Sequence, residues 1–384
     1  MSSRMTVRYR VECAADAIEA RAQALAVEQS VEMPIEAVRD ARVRAEVVGE
    51  VLAIDPLPGA PQRFDVVLAL AAETVGDEPG QLMNMLFGNC SLQPDVALLD
   101  VQLPDAMLDR LPGPRFGIDG WRAAVGAVGR RRALSCTALK PQGLSAGALA
   151  DLAYAFARAG IDVIKDDHGL ADQPAAPFAQ RVPAVQRAIA RANREKTNEG
   201  GALAGHRSVY APSLSGGPRR LAAQLGIVRD EGVGAALACP MIVGVPAFAE
   251  LLRAEAGVPL LAHPALAGHA RIGAPLLLGH LFRLFGADAT IFPNWGGRFS
   301  YPRADCQAIA GRARAPLGAH APILPVPAGG MSVERVGEML DDYGPDTMLL
   351  IGGNLLAAGD AMPARAAEFA ARVAGAFENH DCRP

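Results

Sequence analysis

The chain has 384 residues, 37 basic and 41 acidic side chains with a formal charge of −4, and a hydrophobic fraction of 51%. Such a composition excludes a disordered chain and gives about two domains, and a near balance of charge without a block of one sign gives no nucleic-acid partner. No membrane association or secretory leader is expected either. The longest uncharged run, residues 232–249, is broken by Pro240 and Pro246, and residues 1–7 carry no apolar segment.

Taken in chain order, residues 6–12 alternate like a strand and 15–27 have helical spacing. Residues 43–54 and 64–70 resemble two antiparallel strands, and 80–87 a second helix. These elements predict an α+β domain over residues 1–125, and the Pro/Gly cluster at 111–117 marks the boundary region. From residue 126 to 384, short apolar runs alternate with helical segments. The runs are 133–139, 161–165, 208–211, 235–242, 259–263, 289–292, 323–326 and 348–351. Helical segments lie at 146–158, 178–194, 218–230, 246–255, 274–285, 303–314, 333–342 and 365–377. Eight such pairs predict a (β/α)8 TIM barrel, with a doubly wound open sheet as the rival; no G-x-G-x-x-G follows the first run. Six cysteines (Cys13, Cys90, Cys136, Cys239, Cys306 and Cys382) show no close pair, so neither zinc nor disulfides are expected, and the reduced cytoplasm is the expected compartment.

Of the 37 basic residues only Lys140, Lys165 and Lys196 are lysines. A primary amine can act as a base or nucleophile, or take up CO2 as a carbamate, where a guanidinium does not. Lys196 sits in the polar stretch Arg191-Ala-Asn-Arg-Glu-Lys-Thr-Asn-Glu and is expected on a solvated face. Lys140 and Lys165 fall at the ends of the first two barrel strands, where a barrel carries its chemistry. In Lys165-Asp-Asp-His168, alternation puts Lys165 and Asp167 on one side. A Lys165 carbamate, Asp167 and His168 could hold Mg2+; a salt-bridged loop is the plainer alternative. Gly329 and Gly330 after the seventh strand, with Gly352 and Gly353 after the eighth, sit where barrels bind phosphate, though turn glycines are common. His263, at the mouth, is a candidate for substrate contact. His206, His269, His280, His320 and His380 are assigned to structure or surface.

Thr137-Ala-Leu-Lys-Pro-Gln-Gly-Leu-Ser, Ile161-Asp-Val-Ile-Lys-Asp-Asp, His263 and the two glycine pairs resemble the RuBisCO large chain in order and spacing, over nearly the whole sequence. The resemblance implies an N-terminal α+β (ferredoxin-like) domain before the barrel and a homodimer with shared active sites. It implies Lys140 as a proton-handling lysine, Lys165 as a carbamate, and Lys165, Asp167 and the next residue as Mg2+ ligands. Asn84 matches an asparagine near the metal, and His263 a substrate-binding histidine. Three departures stand out: His168 replaces a glutamate, Gln142 replaces a lysine, and the loop Asn294-Trp-Gly-Gly-Arg-Phe-Ser has no lysine. The last steadies the carboxylated intermediate in true carboxylases, so CO2 fixation is not expected. The chain is similar to the RuBisCO-like proteins (form IV). Isomerisation of 5-methylthioribulose 1-phosphate is the expected activity. Decarboxylation or carboxyl transfer on a 3-oxo sugar-acid phosphate of the 3-oxo-isoapionate 4-phosphate type, with Arg298 on the substrate carboxylate, is the alternative. A non-catalytic barrel that lost its metal with the glutamate is the third reading.

Overall fold

In the computed structural model, which describes residues 3–299 and 301–376, a four-stranded antiparallel sheet comes first. The elements β1 (Arg4–Glu12), α1 (Ile18–Glu28), β2 (Glu50–Leu57), β3 (Ala60–Ala71), α2 (Pro79–Phe87) and β4 (Val96–Gln102) run βαββαβ. Their order β2-β3-β1-β4 is ferredoxin-like. Met5, Val7, Tyr9 and Val11 on β1 are buried at every second position, and the Tyr9 hydroxyl donates to the Leu86 carbonyl of α2 at 2.7 Å. Residues 43–54 are only partly strand. Val43–Val47 forms a π-helical turn, and Gly49 passes so close to α1 that a Cβ there would stand 2.5 Å from the Ala26 carbonyl, so pairing begins after it. β4 was not foreseen from its sequence.

One compact unit comprises Met1–Leu111 with Leu266–Leu277 and Leu317–Ala319; the second holds the remainder. The main break therefore falls at Leu111, within the Pro/Gly cluster, rather than at residue 125, and the helix Gly117–Ala124 belongs to the second unit.

That second unit is the parallel barrel. Its strands are β5 (Leu134–Leu139), β6 (Val163–Asp166), β7 (Val209–Ala211), β8 (Ser213–Leu214), β9 (Ala236–Ala238), β10 (Leu260–Ala262), β11 (Ala289–Pro293), β12 (Leu324–Ala328) and β13 (Met348–Leu350). They hydrogen-bond as β13-β5-β6-β7 and β8-β9-β10-β11-β12, with Pro212 dividing the third position into β7 and β8. Prolines also explain the other seam. On β12, Pro325 and Pro327 have no N–H to give to β13, and the Thr347 hydroxyl bridges instead to the Pro325 carbonyl at 3.0 Å. Leu134, Cys136, Val163, Val209, Leu237 and Val326 fill the interior, and Trp121 and Ile118 from the helix Gly117–Ala124 join the same cluster. Helices Ala146–Arg158, Pro218–Asp230 and Arg303–Arg314 match the sequence expectation, and the last helix is Met362–Gly375. Phe377, His380 and Cys382 lie outside the described residues. Cys13, Cys90, Cys136, Cys239 and Cys306 are free thiols, and no described helix is long and apolar enough to cross a membrane.

Lys196 is not solvated. The helix Phe178–Glu199 extends past residue 194, and Lys196 continues the buried stripe of Val182, Val185, Ile189 and Ala192. Its Nζ donates to Ser208 Oγ at 3.1 Å and lies 2.9 Å from His206 Nδ1, while His206 Nε2 lies 3.0 Å from Asp162 Oδ1. Asp162 also accepts from Arg132 and Ser135. All of these groups stand at or before the starts of β5, β6 and β7, away from the mouth, where barrels place stabilising contacts. Burial pushes the Lys196 ammonium down to about 8. A second buried carboxylate, Asp288, accepts the N–H groups of Phe116, Gly117 and Leu260 at 2.6, 2.7 and 2.9 Å.

Asp288→Ala leaves three buried donors unpaired and is expected to lower stability by about 3–5 kcal/mol, read as a shift in the denaturation midpoint. For Lys196, the unfolded chain holds more protons than the folded one between pH of about 8 and the ordinary lysine range, so this residue's contribution to stability rises with pH there. Urea denaturation of the wild type and Lys196→Met at about pH 7.5 and pH 10 is expected to show the difference moving toward the wild type, at no more than about 1.4 kcal/mol per pH unit.

Candidate active site

Register builds the barrel mouth. β5 and β6 pair with Ala138 opposite Lys165 and Leu139 opposite Asp166, which brings Lys140 out beside Asp167. Along β6, Val163 lies in the barrel core and Asp166 points the other way, to Arg181 and Tyr210. The two-residue alternation therefore turns Lys165 and Asp167 to the inside together.

Lys140 Nζ stands 2.8 Å from Asp167 Oδ1, and His168 Nδ1 is 3.6 Å from the same oxygen. The His168 ring stacks on His263 with centroids 4.1 Å apart and planes within 10°. Lys165 is 3% exposed, and its Nζ donates to the Asp166 carbonyl at 2.8 Å. Behind Lys140, a Cβ on Gly352 would stand 3.9 Å from Lys140 Cε, so the glycine after β13 adjoins the lysine after β5. Lys140, Lys165, Asp167, His168, His263 and Gly352 are thus brought together.

The charges of this cluster are set by its surroundings. Burial lowers the Lys165 ammonium from its ordinary value, and the charge of Lys140 acts in the same direction. Burial alone would raise the Asp167 carboxyl, but His168 and Lys140 beside it overcome that and hold it well below the usual carboxylate range. His263 is pushed down to about 2, chiefly by burial and further by Lys165 and His168. Its Nδ1 accepts the Ala265 N–H at 3.1 Å, which leaves the proton of the neutral ring on Nε2.

A second group forms around the glycines after β12. Gly329 and Gly330 have φ of 82° and 88°, in the left-handed region. A Cβ on Gly330 would stand 2.6 Å from the Arg298 backbone nitrogen, and one on Gly329 would stand 2.9 Å from Phe299, so the loop after β11 lies directly on them. The Arg298 N–H donates to the Gly329 carbonyl at 3.1 Å, and the exposed Arg298 guanidinium lies 5.0 Å over the Phe299 ring. Gly353 opens the short helix Gly353–Leu356. Asn84 belongs to the first unit, exposed on α2, where its side-chain amide donates to Gln81 Oε1 at 3.3 Å.

Among the described residues, no three His, Cys, Asp or Glu side chains converge on a cation position. At this mouth Asp167 and His168 would be the side-chain donors to a metal, with Lys165 a third in carbamate form. Carbamate, carboxylate and neutral imidazole together carry two negative charges, and Asp167 already holds the Lys140 ammonium on the oxygen a cation would take. The donor set fits a divalent ion. Sequence reasoning missed the group behind it, where Asp166, Arg181, Tyr210 and Ser213 meet in the interior; the available signal was a carboxylate facing outward from a strand buried on both faces.

Residues 117–274 match the family described as ribulose bisphosphate carboxylase large chain, catalytic domain. The chain is 52% identical to ribulose bisphosphate carboxylase-like protein 1 of Rhodopseudomonas palustris, over 97% of this chain and 98% of that one. It is 50% identical to the 5-methylthioribulose-1-phosphate isomerase of Rhodospirillum rubrum, over 98% of each. The crystal structure of a Rubisco-like protein from Rhodopseudomonas palustris superposes with a TM-score of 0.88 at 48% identity, covering 99% of both chains. With its ferredoxin-like domain, its parallel barrel and these relatives over nearly its whole length, this chain belongs to the RuBisCO-like proteins, the form IV branch of the RuBisCO large-chain family.

Proposed function

We propose that this chain is an isomerase-type enzyme that moves a proton beside the carbonyl of a phosphorylated sugar, with 5-methylthioribulose 1-phosphate as substrate, and that it does not fix CO2. The observation that carries the reading is the convergence of Lys140, buried Lys165 and ionised Asp167 at one barrel mouth. The name of the Rhodospirillum rubrum relative supports the substrate. The absence of any lysine from residues 294–300 counts against carboxylation.

Lys140 is the proton carrier in this reading. Once the Lys140 ammonium has given its proton to solvent, its amine takes the proton from the carbon next to the carbonyl while the bond's electron pair moves toward the carbonyl oxygen. The hydroxyl proton on the deprotonated carbon passes to the enolate oxygen, and the Lys140 ammonium returns its proton to the former carbonyl carbon, so the carbonyl moves one carbon along and atoms and electrons balance without an oxidant. Burial favours the neutral ring of His263, which offers Nε2–H as a hydrogen-bond donor to a substrate oxygen. The backbone N–H groups of Gly329, Gly330, Gly352 and Gly353, with Arg298 beside them, receive the phosphate. Lys165 as its carbamate, Asp167 and His168 would hold a divalent cation such as Mg2+, which when bound supplies a Lewis acid for the carbonyl oxygen. The resemblance to the family supports a homodimer in which Asn84 serves the substrate, and free thiols suit the cytoplasm.

Turnover in D2O is expected to place solvent deuterium in the product with no CO2 released, and Lys140→Met is expected to cut kcat by about 10²–10⁴-fold with folding intact. CO2 release from the substrate, or full activity in Lys140→Met, contradicts the assignment. Intact-mass analysis in bicarbonate with Mg2+ is expected to show one added CO2 in the wild type and none in Lys165→Met; equal masses for bound and CO2-free wild type remove Lys165 from the ligand set.

A further inference from the structure

We infer that Arg181 is a positioning residue for the mouth cluster, fixing which way β6 and the loop after it present their side chains. The inference rests on the proposed role of Lys165, Asp167 and His168. Arg181 and Asp166 are both fully buried, so neither can touch a substrate. Arg181 Nε donates to Asp166 Oδ2 at 3.1 Å, while its two terminal nitrogens donate to the carbonyls of Ala176 at 2.6 Å and Ala171 at 2.8 Å. One guanidinium thus ties the strand residue between Lys165 and Asp167 to two points on the loop that follows.

Three further bonds converge there. Tyr210 donates its hydroxyl to Asp166 Oδ1 at 2.8 Å, the Ser213 N–H donates to Asp166 Oδ2 at 3.1 Å, and Ser213 Oγ donates to the His168 carbonyl at 3.4 Å. A strand residue gripped on its outward face forces both neighbours inward, because rotation of the strand end that released Asp166 would withdraw Lys165 and Asp167 together. A buried ion pair is a weak source of net stability compared with apolar packing, so orientation accounts for it better. Lysine cannot replace this arginine, since a point charge cannot span a carboxylate and two carbonyls in a plane.

Arg181→Lys and Asp166→Asn test the inference, the second being close in shape to the native side chain should the first fail to fold. Mn2+ binding in bicarbonate buffer, followed by electron paramagnetic resonance, is expected to weaken by about 10–100-fold in a folded variant. Amide exchange over residues 167–177 is expected to accelerate, and kcat to fall with KM little changed. A folded variant that binds Mn2+ within two-fold of wild type and keeps wild-type exchange in that loop overturns the inference, whatever its activity. Wild-type protein that binds Mn2+ but does not turn over 5-methylthioribulose 1-phosphate instead overturns the proposed function, and the binding and exchange measurements still decide the role of Arg181.

Discussion

The alternation of side chains at the end of β6 is the constraint on which the mouth depends. Within five residues the chain must send Val163 into the hydrocarbon interior, Lys165 and Asp167 toward the opening, and Asp166 into a buried hydrogen-bonded group on the opposite side. A strand can do this only in one register, and parallel pairing with β5 supplies that register while delivering Lys140 to Asp167. The cluster is therefore a product of sheet geometry before it is a product of local side-chain choice.

Much of this was visible in the sequence because a parallel barrel writes its strands as short continuous apolar runs. Leu134–Leu139 and Ala289–Pro293 emerge within a residue or so of their expected limits. The run at 235–242 did not stay a strand: Pro240 opens a helical turn as its first residue, and pairing ends at Ala238. Residues 43–54 failed for a different reason. Alternation there is the same for a strand and a turn, and only the close approach of Gly49 to α1, a tertiary fact, decides between them. Lys140, Lys165, Asp167, His168 and His263 could be placed at the mouth because they sit at strand ends. Arg181 could not, since its partners are a neighbouring strand residue and two loop carbonyls that no spacing rule connects.

Lys196 shows how a polar neighbourhood misleads. Charged residues surround it in the sequence, yet its position continues a stripe of Val182, Val185, Ile189 and Ala192, and helical geometry outranks local polarity. All three lysines of this arginine-rich chain thereby acquire specific partners: Asp167 for Lys140, the Asp166 carbonyl for Lys165, and His206 with Ser208 for Lys196. The scarcity of lysine led to the mouth at Lys140 and Lys165, while at Lys196 the solvated-face expectation set it aside and the residue proved to mark the base of the barrel.

The prolines of the barrel wall have a consequence for how the ring can deform. Where β12 faces β13, Pro325 and Pro327 leave the two strands joined by packing and a threonine hydroxyl in place of a row of amide bonds. Spacing between strands can vary there without breaking a ladder. The lysine-bearing strands β5 and β6 each have a hydrogen-bonded neighbour on both sides, so a change in the spacing of the ring costs least at the β12–β13 joint and leaves the lysine-bearing wall in shape.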